Sequence, residues 1–301
     1  MAGSCPKIEY YDACGCRRLA VRTWAAQERA RARVVFVHGI TSHGGWYGQC
    51  TEYLAARGFD VAFLDRRGSG LNGDSMGDIG RWTTWIDDVV NYVRPDSPSA
   101  GVGSSAHEPD NKLPTILCGI SWGGKLATAV ARRIPGQLAG LVTICPGLYS
   151  PFSPGPLQRL VLALPAPKWL QRRRLRVPLR DPALFTDSPH WCEFIARDPL
   201  ALRTITWRFA QEDRKLTRYA RDAAGFLRLP TLMFLAGQDR IVDNRRTRDF
   251  FGRIASNDKT LLEYHGAGHT LEFETDPAQY FHNLAEWIDR VVESNIVPPV
   301  P

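Results

Sequence analysis

Nothing in this chain of 301 residues approaches the ~18 uninterrupted apolar residues that a membrane-spanning helix requires. Its first residues, Met1-Ala2-Gly3-Ser4-Cys5-Pro6-Lys7, lack the basic-then-apolar pattern of a secretory leader. Both absences predict a soluble, cytoplasmic protein. Cysteine is sparse and its count is odd: seven, at 5, 14, 16, 50, 118, 145 and 192, several of them within apolar runs where a small hydrophobe would pack. That scatter argues against a disulfide framework and fits a reducing compartment. Cys14-Gly15-Cys16 has the form of half a metal knuckle, but no second pair follows. Gly15 therefore reads as the turn of a hairpin between strands at 7–12 and 17–24. Internal repeats are lacking too, which sets aside solenoids and propellers.

What the chain does have is an alternation of apolar runs and helical patterns, the mark of an α/β protein with a mostly parallel sheet. Strands are expected at 33–37, 59–64, 114–118, 141–145, 230–237 and 260–264, with helices near 46–57, 82–93, 125–133, 244–250 and 276–293. The helix at 82–93 carries Trp82, Trp85, Ile86, Val89, Val90 and Val93 at helical spacing, so its tryptophans read as core. The polar, Pro- and Gly-bearing stretch 95–112 reads as a surface loop. Within it, Gly101-Val102-Gly103-Ser104-Ser105-Ala106 has the letters of a dinucleotide fingerprint, but follows no strand and opens no helix. No cofactor is expected.

The run Pro114-Thr115-Ile116-Leu117-Cys118 leads into Gly119-Ile120-Ser121-Trp122-Gly123-Gly124, a G-x-S-x-G placed between a strand and a helix. A sharp turn there presents a serine hydroxyl, and the flanking glycines relieve the crowding around it. Later, the strand at 230–237 ends in Gln238-Asp239-Arg240, and the strand at 260–264 leads into His265-Gly266-Ala267-Gly268-His269. Serine is a poor nucleophile until an imidazole takes its proton, and a carboxylate orients that imidazole. Ser121, Asp239 and His269 are thus the candidate nucleophile, acid and base. The competing reading of Asp239 as a helix N-cap is better met by Asp243, just before the helix at 244–250. His265 competes for the base, but it closes the strand itself and reads as structural.

The strand at 33–37 opens into His38-Gly39-Ile40-Thr41-Ser42-His43-Gly44-Gly45-Trp46. Together with Leu64-Asp65-Arg66-Arg67-Gly68-Ser69-Gly70, the serine turn, Asp239 and His269, this segment resembles the monoglyceride lipase and lysophospholipase-like branch of the α/β-hydrolase superfamily, which also takes in serine aminopeptidase-like sequences. The similarity spans about residues 30–148 and 229–290. It implies an α/β-hydrolase fold, the order Ser121, Asp239, His269 for the triad, and an oxyanion hole built from the backbone N–H groups of Ile40 and Trp122. His38, Gly39 and His43 are assigned to substrate binding on the same loop. A metal at His38 and His43 is not expected, since no acidic or cysteine ligand stands near them in the sequence. One departure is Trp122, a large indole where the family often carries a smaller residue.

The order of elements divides the chain into a first part of the hydrolase core at 1–147, a helical lid insertion at 148–228, and the second part of the core at 229–301. The insertion holds 15 Lys and Arg against 7 Asp and Glu, a net +8, whereas the whole chain is +7. The basic character of the protein is therefore a property of the insertion. Leu157-Gln158-Arg159-Leu160-Val161-Leu162-Ala163-Leu164 and Trp169-Leu170-Gln171-Arg172-Arg173-Arg174 mix apolar and cationic groups. Three roles are open: docking on an anionic membrane surface, steering an anionic substrate, or a plain solvated basic face. Nucleic acid is not an expected partner, because Trp191, Phe194, Trp207 and Phe209 are spaced as helix core. The expected activity is hydrolysis of a small-molecule acyl ester that is lipophilic, monoacylglycerol- or lysophospholipid-like by the resemblance, through an acyl-enzyme. Amidase or aminopeptidase-like chemistry, and a non-catalytic ligand-binding protein on the same fold, remain the alternatives. Dehalogenase chemistry is disfavoured because a serine, not an aspartate, stands at the turn.

Overall fold

The computed structural model describes residues 5–94 and 113–296. The stretch expected as a surface loop at 95–112, with its fingerprint-like letters, lies outside the described residues. Chain order runs β1 Lys7–Ala13, β2 Arg17–Trp24, β3 Ala32–Val37, α1 Gly48–Ala56, β4 Phe59–Leu64, α2 Trp82–Val93, β5 Thr115–Ile120, α3 Trp122–Arg133 and β6 Gly140–Ile144. It continues with α4 Pro156–Ala163, α5 Lys168–Gln171, β7 Arg174–Arg176, α6 Pro189–Arg197, β8 Thr204–Thr206 and α7 Trp207–Arg221. The chain then closes with β9 Thr231–Ala236, α8 Asn244–Gly252, β10 Lys259–Tyr264 and α9 Ala278–Ile296.

Eight strands form one sheet in the order β1-β2-β4-β3-β5-β6-β9-β10. The six from β4 to β10 in that order are parallel, and β2 and β1 extend the sheet antiparallel. Strands β3, β4, β5, β6 and β9 are buried at every position, which is why they read as unbroken apolar runs and not as alternation. One face packs Trp85 and Val89 of α2, Leu126 and Val130 of α3 and Phe250 of α8. The other packs Leu54 of α1 with Leu284, Trp287 and Ile288 of α9. Gly15 at φ 73° and Cys16 at φ 57° turn the opening hairpin.

Several element limits shift by one to three residues from expectation, and two of the shifts have a physical reason. The helix expected near 46–57 is a 3-10 turn at Gly44–Trp46 followed by α1. Helix α3 begins at Trp122, not near 125, so it starts directly at the serine. Gly123 and Gly124 have poor helix propensity, which hides that first turn in the sequence; they are there because no side chain fits. The Trp82–Val93 helix forms with the expected limits.

Between β6 and β9 the chain leaves the sheet and builds α4 to α7, with β7 and β8 pairing as a short antiparallel ribbon. Helix α7 buries Phe209 and Leu216 in the same core cluster as α2 and α3. Trp191 of α6 stacks on Phe273 at 4.2 Å. Among the described residues, no helix is long and apolar enough to cross a membrane.

Candidate active site

The turn from β5 to α3 holds Ser121 at φ 53° and ψ −118°, one of three non-glycine residues with positive φ among those described. Such a conformation costs about 1–3 kcal/mol and persists only where the surroundings enforce it. Here Ser121 N–H donates to the Ile144 carbonyl at 2.8 Å, and the Ser121 carbonyl accepts from Gly124 N–H at 2.9 Å and Gly147 N–H at 2.7 Å. A side chain at Gly119 would strike the Gly123 carbonyl, and one at Gly123 would strike the carbonyl of Val37. Close approach of α3 to β5 and β3 thus requires both glycines. Gly39 lies against the serine as well: a Cβ there would be 3.3 Å from Ser121 Cβ.

Asp239 follows β9 and His269 follows β10, and the fold brings them together. His269 Nδ1 lies 2.8 Å from Asp239 Oδ2, with both side chains buried. Asp239 Oδ1 accepts from the N–H groups of Ile241 at 2.7 Å and Val242 at 2.8 Å, so the carboxylate is fixed on one side and the imidazole on the other. His269 Nε2 is buried and has no hydrogen-bond partner among the described residues. Gly268 N–H donates to Glu274 at 2.8 Å, and the Phe185 ring stands edge-on to the imidazole at 5.9 Å. His265 is exposed, with Glu263 at 4.0 Å, and takes no part in this arrangement. Asp243 caps α8, accepting from Arg246 N–H at 3.0 Å, as its position before that helix predicts.

Cys145, which sequence reasoning passed over as a core cysteine, has its sulfur grouped with Asp239 and His269, the ligand atoms all within 4.8 Å of one another. This is the one such grouping that could hold a metal among the described residues. Burial, reinforced by the Asp239 charge, pushes the Cys145 thiol pKa well up and keeps it protonated, which makes it a poor metal ligand.

The loop after β3 is bound tightly to the protein. His38 is fully buried: its Nδ1 faces the Gly39 carbonyl at 2.8 Å and its Nε2 accepts from Arg66 N–H at 3.1 Å. Burial drives its pKa down to about 3, so it is a neutral imidazole buckling two loops together. His43 accepts from Gly45 N–H at 3.0 Å and meets Asp198 at 3.2 Å, and Trp46 Nε1 donates to the same carboxylate at 2.6 Å. The sequence assigns both imidazoles to substrate; in the structure their ring nitrogens are taken by the protein itself. Asp65 anchors the loop from below, pairing with Arg22 at 2.7 Å and accepting from Gly44 and Leu71 N–H, each at 2.8 Å.

Trp122 does not point its indole into open space. Its Nε1 donates to Asp213 of α7 at 2.6 Å, and Lys125 pairs with the same carboxylate at 2.5 Å. The ring lies edge-on to Trp85 at 5.0 Å. Asp213 carried no signal in the sequence, since 91 residues separate it from Trp122.

A mostly parallel sheet that holds a serine in a left-handed strand-to-helix turn, with an aspartate–histidine pair on later strand ends, defines an α/β-hydrolase. Solved structures agree on the fold. A soluble variant of the Saccharomyces cerevisiae monoglyceride lipase, in complex with a substrate analog, superposes with a TM-score of 0.81 at 20% identity, over 96% of this chain and 97% of that one. The Paleococcus ferrophilus monoacylglycerol lipase gives 0.76 at 23% identity, over 95% and 99%. The chain belongs to the serine aminopeptidase, S33, family, whose profile matches residues 28–276. Its relatives include the Mycolicibacterium smegmatis monoacylglycerol lipase, 24% identical over 90% of this chain and 92% of that protein. The human monoglyceride lipase is 25% identical over 90% and 87%. A phospholipase of Bacillus subtilis is 25% identical over 90% and 99%.

Proposed function

We propose that this protein hydrolyses a lipophilic carboxylic ester, monoacylglycerol- or lysophospholipid-like, through an acyl-enzyme on Ser121. The observation that carries the reading is the buried Asp239–His269 pair with a vacant Nε2, at the same end of the sheet as a serine held in a strained turn. His269 Nε2 takes the proton from Ser121 Oγ as the oxygen attacks the ester carbonyl. The Asp239 carboxylate keeps the Nδ1 proton in place and stabilises the imidazolium that forms. Negative charge gathers on the former carbonyl oxygen, where the N–H groups of Ile40 and Trp122 receive it. Trp122 is the first residue of α3, a position whose N–H has no acceptor within the helix. Collapse of the intermediate breaks the C–O bond, and the leaving alkoxide takes the proton from His269. Water, activated by the same imidazole, then clears the acyl group. The ester-named relatives support this choice over amide cleavage.

Residues 148–228 act as a lid in this reading, and their outer part meets the lipid source of the substrate. Helix α4 turns only Leu162 inward, leaving Leu157 74% exposed, Leu160 62% and Leu164 56%; Trp169 on α5 is 71% exposed. Arg159, Arg172 and Arg173 lie close to them in the chain and are exposed. Apolar side chains that insert, with cations close by in the chain, suit an anionic membrane surface.

Labelling with a fluorophosphonate, read by intact mass and peptide mapping, tests the nucleophile. A single adduct on Ser121 is expected, and Ser121→Ala is expected to lose both the adduct and ester turnover while keeping its Tm. Retention of more than about a tenth of the turnover would remove Ser121 from the reading.

A further inference from the structure

Arg66 is a buried cation near the site and has no part in the scheme above. It is only 3% exposed. Its Nη2 donates to the Ile40 carbonyl at 2.5 Å, while the guanidinium lies over the Trp122 ring, 4.7 Å from its centroid, and 5.7 Å from that of Phe209. Nε and Nη1 are buried and have no hydrogen-bond partner among the described residues. The two carboxylates whose charge it feels are engaged elsewhere, Asp65 with Arg22 and Asp213 with Lys125. Burial drives the guanidinium pKa down to about 9 against the pull of those two charges. An apolar residue of similar length would fill this volume without that penalty. The neighbouring Arg67 is ordinary by contrast: it forks onto Asp88 at 2.7 and 2.8 Å and reaches the Cys14 carbonyl at 2.7 Å.

Two of the groups that Arg66 touches, Ile40 and Trp122, supply the oxyanion N–H donors in the proposed mechanism. Its hydrogen bond fixes the orientation of the main chain at Ile40, and its planar face clamps Trp122 at the start of α3. The backbone of Arg66 adds a third tie, through His38 Nε2 at 3.1 Å, to the strand end from which the Ile40 loop departs. We infer that Arg66 is a positioning residue for this hydrolase, bridging Ile40 and Trp122 so that their N–H groups converge on the oxyanion, with its buried charge favouring the anionic intermediate. A positive charge in a water-poor site acts at longer range than in solvent, and it costs nothing to reorganise as negative charge develops. The role requires no contact between Arg66 and substrate, consistent with its burial.

The inference rests on the Ser121 reading, and the experiment separates their failures. Turnover of p-nitrophenyl butyrate is measured for the parent, Ser121→Ala, Arg66→Met and Arg66→Lys. Arg66→Met keeps the packing on Trp122 and is expected to lower kcat by about 10- to 100-fold with KM within about twofold, because the loss falls on the transition state. Arg66→Lys, which retains the cation but not the fork, is expected to recover part of that loss. A trifluoromethyl ketone, whose adduct carries the oxyanion, should bind the two Arg66 variants more weakly in step with kcat/KM. The ether analogue of an ester substrate, which carries none, should bind them as it binds the parent. A merely structural role would weaken both ligands together and lower Tm. That pattern, or a kcat for Arg66→Met within about threefold of the parent, overturns the inference while leaving Ser121 in place. Turnover that survives Ser121→Ala overturns the reading beneath it. Should Arg66→Met fail to fold, the comparison of the two inhibitors on Arg66→Lys gives the same decision.

Discussion

Two parts of one insertion meet the rest of the molecule in opposite ways. Helix α7 buries Phe209, Leu216 and Ala220 and sends Asp213 down to Trp122 and Lys125. Helices α4 and α5, some forty residues earlier, bury a single side chain, Leu162, and leave a row of leucines and a tryptophan in solvent. Both are basic and both are helical, so composition does not separate them. What separates them is whether the apolar stripe has somewhere to go. In α7 it faces α3 and α2; in α4 and α5 it faces outward. The first is an anchor that holds the wall of the site, and the second is a surface held ready for lipid in the proposed function.

Cutting the anchor breaks the comparison most directly. Asp213→Ala leaves Lys125 buried without its carboxylate and the Trp122 N–H without an acceptor. Breaking a buried pair costs about 3–5 kcal/mol, and Asp213 is partly exposed, so a loss of about 2–3 kcal/mol in urea unfolding is expected. Turnover should fall with it, since Trp122 loses its brace. An unchanged unfolding midpoint would reduce α7 to a passive cover.

The outer helices should show the reverse pattern. Leu157→Ser, Leu160→Ser and Trp169→Ser combined should leave the unfolding midpoint and the turnover of a soluble ester near those of the parent. Sedimentation with vesicles containing phosphatidylserine should fall by about tenfold or more, since each chain that inserts contributes on the order of 1 kcal/mol or more. Arg172→Glu with Arg173→Glu should weaken the same binding and flatten its salt dependence, each charge acting with about 1 kcal/mol at low salt. Equal sedimentation of the parent and both variants would leave a solvated face. Arg174 is omitted from the pair because its guanidinium donates to the Met76 carbonyl.

The smallest effect is a control away from both α7 and the outer helices α4 and α5. Glu272, three residues past His269, accepts from Cys50 N–H at 3.1 Å at the start of α1, and burial pushes its carboxyl up to about 8. Its folded pKa thus lies above the ordinary value, so the stability it contributes is complete below that value and is lost as pH rises through about 8. Glu272→Gln should flatten the fall in Tm between about pH 5 and pH 8 while leaving vesicle binding unchanged. A variant whose Tm follows the parent across that interval would show that Glu272 is not a buried neutral acid.

Much of the frame was legible because its signals are local. A strand covered on both faces must be apolar along its length, so Val34–Val37 and Leu232–Ala236 declare themselves in one dimension. A serine at a strand-to-helix turn needs glycines two before and two after it, and Gly119 and Gly123 are there for contacts that admit no Cβ. Chain order alone ranked Asp239 and His269 behind Ser121, and the 2.8 Å contact between them follows from the parallel register of β9 and β10. The excess of Lys and Arg between 148 and 228 is a matter of counting.

What the sequence could not carry is every decision that depends on who faces whom. His38 and His43 look like free imidazoles until burial and the amides around them take their nitrogens. The same Asp65-Arg66-Arg67 triplet holds one acid bound to Arg22, one arginine paired to Asp88 and one arginine with two guanidinium nitrogens lacking a partner among the described residues. No spacing rule tells these apart, because a charged residue is cheap or costly according to partners that lie far away in the chain, as Asp198 lies 152 residues from Trp46. Residue order determined the strands, the turn and the order of the candidate catalytic groups; only packing in three dimensions decided which polar atoms are satisfied and which, like His269 Nε2 and the Arg66 Nε and Nη1, have no partner among the described residues.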